Sequence, residues 1–364
     1  GWSSFMAKEI ADQPQAVGDT LMGRLSSDGD VHLEELAPLT KKVSEIDRII
    51  MVACGTAAYA AEVGKYAIES WARIPVSVEL SHEFRYRNPI LTPNTLVVAV
   101  SQSGETMDTL MATRYAKEAG AMVLSICNTQ GATLAREADA VIYTHAGPEV
   151  AVASTKAFTA QITSIYLLAL HLASVRSTHS KSELQEIGRE LLKLPGQIAE
   201  LLTGLDPIRE LARSYKDAKT VLFLGRNVGF PIALEGALKL KELAYIHSEG
   251  FAAGELKHGP IALIEQGQPV IVIVPSVNDS DSLHAKVVSN IQEVLARGAK
   301  VIAIAEEGDA AVSQVTDQVC FVPAVHKMLA PILTVIPLQV FAMELSAAKG
   351  LDVDQPRNLA KSVT

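Results

Sequence analysis

The chain has 364 residues, of which 48% are hydrophobic and only 5% are aromatic, and its formal net charge is -9. This length is enough for two domains of ordinary size, whose cores must be filled mainly by aliphatic side chains. The negative charge argues against nucleic acid or an anionic membrane surface as the main partner, whereas an anionic small molecule held by local dipoles is compatible with it.

Apolar, β-branched runs alternate with helical patterns twice along the chain, after a short helix at residues 5–10 that ends before Pro14. In the first half, strands are predicted at residues 48–53, 76–80, 95–100, 122–126 and 140–144. In the second half, strands are predicted at residues 220–224, 269–275, 300–305 and 318–322, with a shorter candidate near 244–247. This alternation predicts an α/β fold with parallel sheets that helices cover on both faces.

The two halves resemble a diverged repeat, because residues 50–57 match 221–227 and residues 97–101 match 270–276. In the second copy, Asp279 and Asp281 place negative charge where the first copy would hold a phosphate, so we expect one phosphate site per chain. The domain organisation that we predict has five segments. They are an N-terminal helical segment (1–35), a first domain with the phosphate site (36–175), a helical connector with Pro195 and Pro207 as breaks (176–215), a second domain (216–348) and a C-terminal tail that closes over the site (349–364).

Cysteine spacing and the absence of targeting signals indicate a cytoplasmic protein. Cys54, Cys127 and Cys320 lie in or next to apolar runs and show no C-x-x-C spacing, which favours reduced thiols over a disulfide or a metal site. The N-terminus has no signal-peptide pattern. The longest apolar stretch, residues 157–173, contains polar residues and predicts a core helix, not a membrane span.

Residues 101–106, with the sequence Ser-Gln-Ser-Gly-Glu-Thr, form the most informative turn of the chain. They join a buried strand to a helix that starts at Met107, and a helix N-terminus offers unpaired N–H groups and the positive end of the macrodipole. Ser101, Gln102, Ser103 and Thr106 add hydroxyl and amide groups, so the pattern predicts a cage for a phosphate dianion. A simple N-cap cluster is the alternative, although one hydroxyl would suffice for a cap.

A helical segment carries Glu235, Lys239 and Glu242 at spacings i, i+4 and i+7, which place them on one face. A solvated ion-pair stripe would have the same spacing. Leucines at neighbouring positions favour a mostly buried helix instead. Burial would raise the pKa of a carboxylate there and make it usable as a base near neutral pH.

Three further places have both a functional and a structural interpretation. His258 lies in a turn-rich loop with Glu255 and Lys257, where it is either an acid/base group or an exposed histidine. Lys361 in the tail is either a solvated charge or an amine that forms a Schiff base with a sugar carbonyl. The hydroxyl-rich helix starts at Thr56 and at residues 152–156 either bind a ligand at the carboxyl ends of strands or only cap helices.

Together, these motifs resemble the isomerase part of the glucosamine-6-phosphate synthase family, the isomerising glutamine–fructose-6-phosphate aminotransferases. That part is a tandem of two sugar-isomerase (SIS) domains, each a Rossmann-like sheet of the flavodoxin type. The resemblance covers essentially the whole chain. The 101–106 turn is shared by many SIS proteins, whereas residues 235–242, 255–260 and 354–364 are more specific to this enzyme family.

The resemblance implies a role for each candidate residue and no cofactor or metal. The residues that would hold the sugar phosphate are Ser101, Gln102, Ser103 and Thr106. Those that would line the sugar site are Thr56, Val152, Ser154 and Ala360. Glu242 would move a proton between C1 and C2, Lys239 would balance charge close by, and Lys361 would form a Schiff base with the C2 carbonyl of fructose 6-phosphate. His258 would assist ring opening from the neighbouring subunit, which implies a homodimer.

The implied reaction converts fructose 6-phosphate and ammonia to glucosamine 6-phosphate. In this family a glutaminase domain with a terminal Cys nucleophile supplies the ammonia, but here nothing precedes Gly1 and the first cysteine is Cys54. We therefore expect a shortened form that interconverts fructose 6-phosphate and glucose 6-phosphate, or uses free ammonia weakly. Ala57 stands where the family usually has Ser, which would remove one hydrogen bond worth about 1 kcal/mol.

Two other functions remain open from the sequence. A SIS-type glucosamine-6-phosphate deaminase would work without a glutaminase domain. A non-catalytic sugar-phosphate sensor would need the 101–106 turn but not Glu242, His258 and Lys361 together.

Overall fold

The computed structural model of the chain describes residues 1–279 and 282–364. Spatial contacts divide these residues into two units, each built around one five-stranded sheet. The first unit comprises Asp12–Glu149, Ser154–Pro195 and Ala360–Thr364, and the second unit comprises Gly1–Ala11, Val150–Ala153 and Gly196–Leu359. The division into five segments stays a prediction. The boundaries of the two units differ from those of the predicted segments in the N-terminal segment, the connector and the tail.

The first sheet is parallel throughout, with the strand order β2-β1-β3-β4-β5. Its strands are β1 (Arg48–Ala53), β2 (Val76–Leu80), β3 (Thr95–Ser101), β4 (Met122–Cys127) and β5 (Ala140–Tyr143). In the register of the central pair, Ile50 lies beside Val97. Every residue of β3 and β4 is buried, as expected of strands that helices cover on both faces.

The second sheet is also parallel, with the order β10-β9-β8-β6-β7. Its strands are β6 (Thr220–Gly225), β7 (His247–Ala252), β8 (Pro269–Ile273), β9 (Lys300–Glu306) and β10 (Val319–Val322). Counted from its own first strand, each sheet therefore has the order 2-1-3-4-5 of flavodoxin-like folds. The predicted α/β architecture with two parallel sheets is confirmed.

Helices flank both sheets and supply the rest of the cores. They are α1 (Phe5–Ala11), α2 (Gln13–Leu21), α3 (Thr40–Val43), α4 (Thr56–Ala72), α5 (Ser81–Phe84), α6 (Met107–Glu118), α7 (Thr133–Glu137), α8 (Lys156–Arg176), α9 (Lys181–Leu202), α10 (Asp206–Ser214), α11 (Gly229–Ala244), α12 (Leu283–Leu295), α13 (Ala310–Val315) and α14 (Ala330–Ala348). Three 3₁₀ helices add Glu34–Leu39, Ala253–His258 and Pro260–Leu263. Two of the α-helices, α8 and α14, are long and apolar enough to cross a membrane, but both are mostly buried, as in a soluble protein.

Of three local predictions, two are wrong and one is confirmed. The strand expected near residues 244–247 starts only at His247, because α11 continues to Ala244 and Tyr245 ends it in a left-handed conformation with φ +57°. The short N-terminal helix predicted to end before Pro14 is confirmed, since α1 ends at Ala11 and Pro14 lies in the first turn of α2. Pro195 lies inside α9 instead of breaking it, where Leu191, Leu194, Ile198 and Leu201 form a buried stripe at helical spacing.

Candidate functional site

The 101–106 turn joins β3 to α6 at the carboxyl end of a fully buried strand. The Ser101 hydroxyl is nearly buried, accepts the N–H of Gly104 at 3.1 Å and lies 3.2 Å from the hydroxyl of Thr106. Ser101 therefore shapes the turn from within. The side chains of Gln102, Ser103 and Thr106 are partly exposed and remain accessible to an anion.

Gly104 is required in this turn by both conformation and space. Its φ is +67°, and a Cβ atom added there would lie 2.6 Å from the Cβ atom of Ala132. The close approach allows the Gly104 carbonyl to accept the N–H of Leu134 at 3.0 Å. Glu105 is also tied to α7, because its Oε1 accepts the N–H of Thr133 at 2.7 Å, and this backbone hydrogen bond lowers the pKa of Glu105.

The last residues of the chain lie against the 101–106 turn within the first unit. The hydroxyls of Ser362 and Ser103 are 3.2 Å apart, and the carbonyl of Val363 accepts the N–H of Met107 at 3.2 Å. Met107 is the first residue of α6, so the tail satisfies one of the N–H groups that a helix start leaves open. Ala360 is exposed at the beginning of this segment.

Thr56 opens α4 directly after β1, the strand that pairs with β3. It follows Gly55, whose φ of +59° and ψ of −134° suit only glycine. Since β1 and β3 are parallel, Thr56 and the 101–106 turn lie at the same edge of the first sheet. Ala57, partly exposed beside Thr56, has no side-chain hydrogen-bonding group.

The predicted residues of the segment before α8 fall into different units. Ser154 belongs to the first unit, and its buried Oγ makes no hydrogen bond to any residue that the structure describes. An unpaired buried hydroxyl costs about 1–3 kcal/mol, so such a group commonly marks a ligand or an ordered water. Val152 belongs to the second unit, where its N–H donates to the carbonyl of Asp354 at 3.0 Å.

Lys361 forms an ion pair with Glu149 in the first unit. The distance from Nζ to Oε1 is 2.5 Å, and the side chains are 26% and 0% exposed, respectively. Glu149 also accepts the N–H groups of Thr155 and Ala157 at the start of α8, at 3.1 and 2.9 Å. Lys361 is thus not a solvated tail charge. Sequence reasoning missed Glu149; its only local signal is an acidic residue shortly before a buried helix.

Glu235, Lys239 and Glu242 form a charged cluster on α11 in the second unit. Lys239 Nζ lies 3.0 Å from Glu235 Oε1 and 2.8 Å from Glu242 Oε2, and Lys239 and Glu235 are completely buried. Burial alone would lower the pKa of Lys239, but the charges of the two carboxylates outweigh it and raise this pKa above its ordinary value. The alternative of a solvated ion-pair stripe is therefore wrong.

Glu242 differs from the buried carboxylate that the sequence predicts. Its side chain is 22% exposed and lines an open cavity with Tyr245, His247, Arg357 and other residues of the second unit. The guanidinium of Arg357 stacks 4.1 Å from the ring centre of Tyr245, and the Arg357 N–H donates to the Tyr245 hydroxyl at 2.8 Å. The tail is thereby fixed beside Glu242, the partly exposed carboxylate of the cluster, and Lys239 holds that carboxylate from the buried side.

His258 ends the 3₁₀ helix Ala253–His258, and its side chain is exposed. Within the described parts of the chain, no hydrogen bond or ion pair joins His258 to Glu242. The neighbouring Lys257 instead pairs with Glu293 of α12 at 3.2 Å. The contacts of His258 within one chain do not test its predicted role, which stays a prediction.

The turn after β8 is the counterpart of the 101–106 turn in the second unit. Pro275 and Ser276 follow that strand, and Asp279 lines a cavity together with Arg226 and Lys327. Asp281, the second acid expected there, lies outside the described residues. The expectation that the turn of the second unit binds no anion stays a prediction.

The thiols differ in their exposure. Cys127 and Cys320 are buried, and burial raises the pKa of each thiol to about 12, whereas Cys54 is partly exposed. Among residues 1–279 and 282–364, no three His, Cys, Asp or Glu side chains cluster as metal ligands would.

Comparisons with known proteins agree with this architecture. Residues 42–171 and 214–349 each match the SIS domain model. The chain is 65% identical to glutamine–fructose-6-phosphate aminotransferase [isomerizing] of Leifsonia xyli subsp. xyli, over 100% of the chain and 59% of that protein. It is 61% identical to the enzyme of the same name from Corynebacterium efficiens, over 100% of the chain and 58% of that protein. The chain thus spans less than two thirds of the length of these relatives.

Solved structures also match, among them one that is covered over nearly its full length. It is the C-terminal domain of glucosamine-fructose-6-phosphate aminotransferase from Francisella tularensis, with 39% identity and a TM-score of 0.91. The match covers 98% of the chain and 99% of that structure.

Proposed function

Because the chain belongs to the SIS domain family and, within it, to the C-terminal domains of glucosamine-fructose-6-phosphate aminotransferases, we propose that it carries out the sugar-isomerising part of that reaction. Its substrate is fructose 6-phosphate, and its product is glucosamine 6-phosphate with ammonia or glucose 6-phosphate without it. The ammonia comes from a glutaminase domain in the whole enzyme. The observation that supports this most directly is the partly exposed Glu242 carboxylate, held by the buried Lys239 beside an open cavity.

The 101–106 turn binds the phosphate through Ser101, Gln102, Ser103 and Thr106. The α6 dipole and neutral donors hold the dianion there. Thr56, Val152, Ser154 and Ala360 line the sugar. The unpaired Ser154 hydroxyl supports this assignment, because a sugar hydroxyl would supply its missing partner.

Covalent chemistry begins at Lys361. The neutral amine attacks the C2 carbonyl of the open-chain sugar, a C–N bond forms, and the carbonyl oxygen leaves as water, which gives an imine. Ammonia then adds to C2 and the lysine amine leaves. Glu242 removes a proton from C1 and returns it to C2, while the O1 hydroxyl gives up its proton and the imine nitrogen gains one, which converts the ketose imine into the 2-amino aldose.

The first test measures conversion of fructose 6-phosphate to glucose 6-phosphate by the purified chain, coupled to glucose-6-phosphate dehydrogenase. Glu242→Gln should reduce the rate about 10²–10⁴-fold, the usual contribution of a general base. Glu249→Gln, an exposed carboxylate of the same unit, should leave the rate unchanged. No conversion together with rapid loss of ammonia from glucosamine 6-phosphate would indicate the deaminase, and sugar-phosphate binding without either reaction would indicate the sensor.

The proposed setting is a cytoplasmic homodimer in which His258 of one subunit opens the sugar ring in the site of the other. Its exposure at the end of a 3₁₀ helix is compatible with this role. Inactive His258→Ala and Glu242→Gln chains, unfolded and refolded together in equal amounts, should recover about one quarter of wild-type activity, since half of the dimers carry one intact site. A mixture that stays inactive would place the histidine and the base in the same chain.

A further inference from the structure

Glu149 is a completely buried carboxylate that neither the sequence motifs nor the proposed reaction uses. Its Oε1 lies 2.5 Å from Lys361 Nζ, and its Oε2 accepts the N–H groups of Thr155 and Ala157. We propose that Glu149 is a positioning residue that holds the Lys361 ammonium beside the sugar site, where the partly exposed group loses its proton to water and then attacks the sugar carbonyl as the neutral amine. This role rests on the proposed function, because it requires that Lys361 forms the Schiff base.

The surroundings of Glu149 make it a rigid support. A buried carboxylate is costly unless hydrogen bonds and an opposite charge replace its hydration. Thr155 and Ala157 lie at the start of α8, a 21-residue helix, so the helix dipole adds to the two N–H bonds. Because both of these bonds go to Oε2, Oε1 is available to the lysine amine.

The tail fixes the other end of the lysine. Next to Lys361, Ser362 contacts the Ser103 hydroxyl at 3.2 Å, and the Val363 carbonyl accepts the N–H of Met107. The backbone around Lys361 is therefore held at the phosphate-binding turn while Glu149 holds its amine. A free lysine side chain loses rotamer entropy when it is ordered, so holding it in advance reduces the entropic cost of attack.

The pair is nevertheless suited to release. The lysine side chain is 26% exposed and has this one carboxylate partner among its described contacts, unlike Lys239, which is fully enclosed between two. An amine in this position is accessible to an incoming carbonyl. A pair with a purely structural role would also be buried and hydrogen-bonded. The rate at which Lys361 forms a covalent bond therefore distinguishes a positioning role of Glu149 from a structural one, whereas stability does not.

The experiment traps the imine. The chain is mixed with fructose 6-phosphate, quenched with borohydride at increasing times, digested, and the peptide that contains Lys361 is quantified by mass spectrometry. Glu149→Gln keeps an oxygen for the two N–H groups but removes the charge, and it should slow trapping about tenfold or more. Glu149→Asp, which keeps the charge but withdraws it by one methylene, should also slow trapping, while binding of glucose 6-phosphate stays within twofold.

Glu9→Gln is the matched control. Glu9 is also buried, and its two oxygens accept the N–H groups of Val150 and Ala151. Glu9→Gln therefore removes a buried carboxylate that accepts two backbone N–H groups without changing Glu149, and trapping on Lys361 should proceed at the wild-type rate. Thermal unfolding of each variant establishes that the comparison uses folded protein, and Glu149→Asp provides the result if Glu149→Gln does not fold.

Wild-type trapping rates in both Glu149 variants would overturn the proposal. A wild-type chain that isomerises fructose 6-phosphate without any adduct on Lys361 would overturn it too, while leaving the isomerase function intact. A wild-type chain that neither isomerises nor forms the adduct would overturn the proposed function itself, and the role of Glu149 with it.

Discussion

The two units have the same strand order but place different chemistry at the corresponding positions. After its third strand, the first unit has the hydroxyl-rich 101–106 turn, whereas the second unit has Pro275, Ser276 and Asp279. After its first strand, the first unit has a helix that starts with Thr56, whereas the second has α11 with its buried charged cluster. A shared fold therefore leaves the side chains at the strand ends free to diverge in function.

The two units also differ in whether their candidate binding and charged residues carry buried charge. The first unit offers an anion neutral hydroxyls and N–H groups, which need no compensating charge when the site is empty. The second unit buries a full positive charge between two carboxylates, an arrangement that is stable only while all three members are present. Substitutions in the two units should therefore fail in different ways.

The largest effect is expected from Lys239→Met. Removing the buried ammonium leaves the carboxylates of Glu235 and Glu242 without their common partner, which should lower the free energy of unfolding by about 3–5 kcal/mol in urea titrations. Because folding raises the pKa of Lys239, the stabilisation is fully present at neutral pH and is lost only as the pH rises beyond the ordinary lysine range.

Lys241→Met is the control for this substitution, because Lys241 lies on the same helix but is exposed. Its effect on the free energy of unfolding should stay within about 0.5 kcal/mol. Equal losses for Lys239→Met and Lys241→Met would mean that the buried cluster contributes nothing beyond a surface charge.

A smaller loss is expected from Gly104→Ala in the first unit. The positive φ costs about 1–2 kcal/mol for a residue with a Cβ atom, and the clash with Ala132 adds about 1–3 kcal/mol. Gly120→Ala isolates the first contribution, because Gly120 has a φ of +91° and open space around it. If both variants lose the same free energy of unfolding, the close approach of the 101–106 turn to α7 is not real.

Ser103→Ala should weaken binding more than it lowers stability, because Ser103 is partly exposed and water can replace its hydroxyl as the partner of the Glu105 N–H and of Ser362. Losing one hydrogen bond to a charged phosphate costs about 1.5–3 kcal/mol, so the Kd for glucose 6-phosphate should rise roughly 10- to 100-fold in calorimetric titrations. Ser276→Ala makes the same change in the counterpart turn of the second unit and should leave the Kd unchanged. A rise for Ser276→Ala as large as that for Ser103→Ala would show that both copies bind the phosphate.

Most strands of this fold could be predicted from the sequence because they are short, continuous apolar runs, as buried parallel strands must be. The exception is β7, which contains His247, Ser248 and Glu249 and lies at the edge of its sheet, where burial does not demand an apolar pattern. Helix propensity alone disfavours Pro195 and predicts a break there, but in the structure the burial of the apolar side chains of α9 outweighs this propensity.

The sequence predicts contacts within the candidate site only between residues that are close together in the chain. Glu235, Lys239 and Glu242 are neighbours because of helical periodicity, which the sequence displays directly. The ion pair between Glu149 and Lys361 joins residues 212 positions apart, and no local pattern encodes such a contact. The 22% exposure of Glu242 likewise depends on how the tail packs at Tyr245, a tertiary detail beyond any single segment.

The smallest effect concerns the thiols, for which the two sheets should behave alike. Cys127 at the end of β4 and Cys320 in β10 are buried, and burial raises the pKa of each to about 12. At pH 8 only about one such thiol in ten thousand is a thiolate, the form that reacts with iodoacetamide. Mass spectrometry should therefore find modification of the partly exposed Cys54 alone until denaturant is added. Modification of Cys127 but not Cys320 in the folded protein would mean that the first sheet opens more readily than the second, and the two units would then differ in local stability as well as in chemistry.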